Sequence, residues 1–168
     1  MSYPKVILQC IFEYLYIDDI PGEYYNIILS VRSWRQIDKF YCFKSCRKIV
    51  LYNNNNLTNN DIRFLPLSLV YLDLNHNRNF TDDCMRFLPN TLKHLNISHN
   101  YNFTNACIAN LPRNLEYLKL SFGSGFTNKC IKDFPTSLLT LVLQCNYRIN
   151  INLLQKYLIN CNIIIKNN

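Results

Sequence analysis

The sequence predicts an α/β repeat fold, a short stack of strand–turn–helix units behind a separate helical segment. Two observations carry the stack. Leu65-Pro66, Leu88-Pro89, Leu111-Pro112 and Phe134-Pro135 open segments spaced 23 residues apart, and a fixed period of that size marks supersecondary units that bury their apolar faces only by stacking. Inside each unit the apolar residues follow LxxLxLxxN, and the central LxL alternates with period two, as a strand with one buried face does. A third observation separates the amino end, because residues 1–42 lack the repeat and space their apolar residues as helices do.

The repeat positions are Leu69/Leu72/Leu74/Asn77, Leu92/Leu95/Ile97/Asn100, Leu115/Leu118/Leu120 and Leu138/Leu141/Leu143/Asn146. After the strand the chain must turn sharply, and an inward Asn can give and take hydrogen bonds with the loop backbone. The third unit has Gly123 at that point. Three positions later stands a large apolar residue, Phe80, Phe103, Phe126 or Ile149, which in a stack forms a continuous spine. Thr81, Thr104 and Thr127 follow as helix N-caps. A short helical turn then carries Cys84, Cys107 and Cys130, each followed by Met or Ile, toward the core. The next Leu-Pro ends that turn. One period earlier lies a degenerate first unit with Cys46, Ile49, Leu51, Asn54, Leu57, Thr58, Ile62 and Phe64, and one period later CNIIIK forms a final capping strand.

Composition bounds the function. The 168 residues are 49% hydrophobic, with eight cysteines and a net charge of +7. That allows one domain, or a small domain capped onto a short array. No run of 18 apolar residues occurs, so no membrane span is expected. No secretory leader is recognisable at the amino end, which gives an intracellular expectation, cytoplasmic or nuclear. The cysteines recur at core positions and show no CxxC or paired His–Cys spacing, so they are expected as free, packed thiols without metal. The basic residues fall in ones and twos, which argues against nucleic acid as a partner. His76 and His99 share a repeat position, yet Phe122 and Cys145 at the matching places do not extend a metal site. No Ser/His/Asp or Cys/His arrangement has a base and an orienting group. Neither catalysis nor a cofactor is expected.

The LxxLxLxxN pattern over residues 43–168 resembles leucine-rich repeats, and its Phe-Thr/Asn variant is similar to the Phe-Asn-Ile-Pro repeats of amoebal proteins. The preference for Asn, Ile, Tyr and Lys, whose codons are A/T-rich, points to an AT-rich genome of amoebal or giant-virus type. The resemblance implies a solenoid of about five units with a parallel sheet on its concave side. On such a sheet the residues flanking LxL project in three columns: Lys48, Tyr71, His94, Tyr117, Thr140; Val50, Asp73, Asn96, Lys119, Val142; and Tyr52, Asn75, Ser98, Ser121, Gln144. Lys48, Tyr71, Asp73, His94, Asn96, Tyr117 and Lys119 are the expected target-binding residues, since aromatic anchors concentrate binding energy.

At the amino end, PKVILQCIFEYLYIDDI resembles the start of an F-box through Pro4, Ile7, Leu8, Ile11, Phe12, Tyr14, Leu15, Asp19 and Ile20. SVRSWRQID resembles its later Val-Cys-Arg-x-Trp-Arg stretch, with Trp34, Arg35 and Asp38 as the clearest matches. The chain departs from that pattern at Tyr3, at Val6 and in extra residues near 21–26. A second helix is expected over Asn26–Phe40. The resemblance implies a substrate-recruiting subunit of a cullin–RING ubiquitin ligase. Pro4, Ile7, Leu8, Ile11, Leu15, Ile20 and Trp34 would dock on a Skp-type linker protein, the repeats would hold the target, and the chain would be a monomer outside the ligase complex. The alternative is a repeat-based protein-interaction module with no ligase link.

Overall fold

The computed structural model describes residues 26–28, 46–51, 57–121, 125–144 and 148–166. The F-box-like positions Pro4, Ile7, Leu8, Ile11, Leu15, Ile20 and Trp34 lie outside these residues. Six strands run parallel in chain order: β2 Lys48–Val50, β3 Tyr71–Asp73, β4 His94–Asn96, β5 Tyr117–Ser121, β6 Thr140–Gln144 and β7 Asn162–Lys166. A further strand, β1 Asn26–Ile28, pairs parallel with β2 and extends the sheet to seven. Helical segments alternate with the strands: α-helices Asn59–Ile62, Asn105–Ala109 and Ile151–Tyr157, and 3-10 helices Asp82–Phe87 and Asn128–Asp133. The architecture is an α/β repeat. Among the described residues no helix is long and apolar enough to cross a membrane.

The register follows the period. Ile49, Leu72, Leu95, Leu118 and Leu141 are successive partners across the sheet, and all are 0% exposed. Leu51, Leu74, Ile97, Leu120 and Leu143 form a second buried line. Phe80, Phe103, Phe126 and Ile149 form the expected spine, which Leu57 continues into the first unit. Cys84, Cys107 and Cys130 are buried free thiols beneath the helical turns, beside Met85, Ile108 and Ile131. The carbonyls of the repeat prolines Pro66, Pro89, Pro112 and Pro135 accept from the N–H three residues on, Leu69 to Pro66 at 3.1 Å and Leu92 to Pro89 at 3.0 Å, which closes the turn into the next strand.

Three ladders of side-chain hydrogen bonds tie one unit to the next. In the turns, Asn77 Nδ2 donates to the carbonyls of Leu51 at 2.8 Å and Leu74 at 2.7 Å, and Asn100 Nδ2 donates to Leu74 at 2.8 Å and Ile97 at 3.1 Å. The expected exchange is therefore met on the donor side, while neither buried Oδ1 has a donor among the described residues. On the helical side the residue after each cap reaches the next cap. Asn59 bonds Thr81, Asp82 bonds Thr104, Asn105 bonds Thr127 and Asn128 bonds Asn150. At the strand entrances Ser68, Thr91, Asn114 and Ser137 donate to carbonyls of the preceding unit.

The ends depart from expectation. Asn26–Ile28 is a strand where the apolar spacing predicts the start of a helix, so the sheet reaches back past residue 43. The physical reason is the open edge of β2, whose unpaired backbone groups offer partners to a segment containing two β-branched isoleucines. Residues 29–40 of that expected helix lie outside the described residues. At the other end β7 forms as the expected final strand, yet Ile164 and Ile165 remain 37% and 47% exposed. The strand closes the hydrogen-bond ladder of β6 and leaves its own apolar residues in contact with solvent.

Candidate functional site

The outward face of the sheet is assembled by the same register that builds the core. Because side chains alternate along a strand, the residues on either side of each buried Leu point away from the core. Lys48, Tyr71, His94, Tyr117 and Thr140 are successive partners from β2 to β6, and so are Val50, Asp73, Asn96, Lys119 and Val142. All seven expected target-binding residues are thus brought together in two neighbouring columns, each of them half-buried. With strands about 4.8 Å apart, the five span roughly 20 Å.

The first column is a stack. The Tyr71 and His94 ring centroids lie 6.0 Å apart at an interplanar angle of 26°, and His94 and Tyr117 lie 5.6 Å apart at 30°. Lys48 Nζ sits 4.6 Å from the Tyr71 ring centroid, a cation–π contact at one end of the stack. Burial, then the Asp73 carboxylate, then Tyr117 push the Tyr71 phenol up, and burial followed by Asp73 does the same to Tyr117. Both stay neutral at physiological pH and present hydroxyls that donate or accept.

The second column is a polar network. Asn96 Nδ2 donates to Asp73 Oδ2 at 2.9 Å, while Asp73 Oδ1 accepts from the Asn75 backbone N–H at 2.8 Å. Ser98 Oγ donates to Asn96 Oδ1 at 2.5 Å and reaches Asn75 Oδ1 at 3.2 Å. Ser98 stands in the third column yet is fully buried, its hydroxyl bonded to the Asn75 and Asn96 side chains beside it. Val142, expected outward, is also buried at 4% exposure, in register between Lys119 and Ile164. Tyr52 lies outside the described residues. Fixed rings and a pre-bonded Asp–Asn pair give a partner a surface that needs little reordering on binding.

Beyond the strand ends, His76 and His99 both adopt left-handed backbone, with φ of 58° and 56°. Their rings stack with centroids 4.2 Å apart at 7°. Burial, then His76, then Lys119 hold the His99 pKa below its ordinary value. Among the described residues no group of three or more His, Cys, Asp or Glu could hold a metal ion. The core thiols are poor nucleophiles, because burial pushes Cys84 up to about 12 and Cys130 up to about 11. Burial drives Cys107 well above the ordinary thiol value.

Sequence reasoning missed the Asn59, Asp82, Asn105 and Asn128 clamps. Their signal is an Asn or Asp directly after each Thr in phase with the period, but those side chains are naturally taken as part of the cap. It also missed a convergence of Lys129, Lys132 and Lys156 on the helical side. In the sequence they count among basic residues that fall in ones and twos. No protein-family model matches this chain, and no curated protein matches it.

Proposed function

We propose that this chain is a protein-recognition subunit that holds a partner protein on the outward face of its parallel sheet. The observation that carries this is the half-buried stack Lys48–Tyr71–His94–Tyr117, a line of rigid aromatic groups beside a satisfied polar network. Tyrosines supply large contact area at low entropic cost, and interface energy concentrates on such anchors. The neighbouring charges Lys48, Asp73 and Lys119 select among partners rather than supply most of the affinity. The face is assigned recognition and no chemistry.

In its finer form the proposal gives the chain the adaptor role that the F-box resemblance implies. Pro4, Ile7, Leu8, Ile11, Leu15, Ile20 and Trp34 dock on a Skp-type linker, and the sheet presents the target to the ligase by proximity and orientation. This form rests on sequence resemblance alone. Two measurements test the proposal. A photo-crosslinking side chain in place of His94 should capture a discrete protein, whereas the same group in place of Arg113 should not; equal capture at both positions sinks the recognition face. Purified Skp-type linker should bind the full chain at micromolar concentration and lose binding to Leu15→Asp. No binding removes the ligase role and leaves an interaction module.

A further inference from the structure

On the helical side of the last two units, a groove of about 510 Å³ lies between the 3-10 helix Asn128–Asp133 and the helix Ile151–Tyr157. That volume falls within the range of pockets that seat a few side chains. The buried Ile131 forms its floor, and Leu153, 47% exposed, forms an apolar wall. Tyr157 closes one side and is held in place because its hydroxyl donates to the Lys132 carbonyl at 2.6 Å. Lys129, Lys132 and Lys156 stand exposed around the rim, and no carboxylate lines the groove. Two of these lysines come from one unit and the third from the next, so the stacking of repeats creates the site.

We propose that this groove is a second docking site, for an acidic peptide segment of a partner protein, with an apolar side chain against Leu153 and Tyr157 and flanking carboxylates on the three lysines. Charge complementarity selects the occupant. Three ammonium groups with no acidic neighbour in the lining favour a polyanionic partner. The apolar floor and wall then favour a peptide over a nucleic acid backbone, which would leave Leu153 and Ile131 without a contact of their own kind. The site is separate from the sheet face and does not depend on what that face binds.

A displayed library of random heptapeptides, panned on the full chain, tests this. The expected result is selection of peptides with Asp or Glu on both sides of Leu, Phe or Trp. A selected peptide carrying fluorescein should bind at least about tenfold more weakly to Lys129→Glu/Lys132→Glu/Lys156→Glu and to Leu153→Asp. Because all four positions are exposed, both variants should melt like the parent, and the pair provides two independent routes to the result. Selection without acidic enrichment overturns the proposal, as does equal binding of the selected peptide to both variants. So does tight binding of a dT20 oligonucleotide that the triple variant alone abolishes, without acidic peptide selection.

Discussion

On the inward face of β2–β6 the middle column reads Ile49, Leu72, Leu95, Leu118 and Leu141, five branched aliphatic side chains with no solvent exposure. One residue earlier on the same strands the outward column reads Lys48, Tyr71, His94, Tyr117 and Thr140, which share neither charge nor size. The inward residues must interlock with the units on both sides, so the stack imposes one shape on all of them. The outward residues need only tolerate a strand, and there the sequence is free to vary from unit to unit. Stability and recognition are therefore divided between the two faces of one sheet.

The contrast can be broken from the inward side first. Phe103→Ala removes a fully buried ring from the spine and should cost about 3–5 kcal/mol, and Leu95→Ala about 2–5 kcal/mol, both read by denaturant unfolding. Ile165→Ala on the exposed end strand should cost about 1 kcal/mol or less, since a side chain 47% exposed in the folded state buries little surface on folding. A cost at Ile165 equal to that at Leu95 would show that β7 is covered in solution.

Next come the ladders that join the units. Asn100→Ala takes the side-chain donor from the Ile97 carbonyl and one of two from the Leu74 carbonyl, which keeps Asn77 Nδ2, and should cost about 1–3 kcal/mol. Asp82→Ala removes two exposed bonds to Thr104 and should cost about 1 kcal/mol or less, because water replaces them. Chemical unfolding of the two variants side by side ranks the turn ladder above the helical one.

The smallest effect is a pH dependence. His99 has a pKa below its ordinary value in the folded protein, first through burial and then through His76 and Lys119. The unfolded chain then binds more protons than the folded one as pH falls through the ordinary histidine range near 6.5. Stability from this site is present above that range and is lost on acidification toward the folded pKa. Melting temperature followed from pH 7.5 to 5 should fall, and His99→Gln should flatten the slope. An unchanged slope would place the sensitivity elsewhere.

The inward columns and the aromatic spine are legible in the sequence because two periods coincide, alternation along a strand and the 23-residue return between strands. The outward stack follows from the same count. What escapes is whatever depends on partners about one unit away. Asn59 reads as a cap residue until Thr81 is placed beside it, and Ser98 reads as exposed until Asn75 and Asn96 are placed against its hydroxyl. Asn26–Ile28 carries a helix-like local spacing, yet an open sheet edge captures it as a strand. The lysine groove escapes for a similar reason, since Lys156 joins Lys129 and Lys132 only after the last two units are stacked.

The division of labour between the faces is tested most directly by measuring partner affinity and melting temperature together on Tyr71→Ala/Tyr117→Ala. The partner is the one captured through position 94. Affinity should fall by about 30-fold or more, as loss of central aromatic anchors requires, while the fold stays intact and the melting temperature changes far less than in Leu95→Ala. Retention of full affinity by the double variant would contradict the assignment of recognition to the outward face.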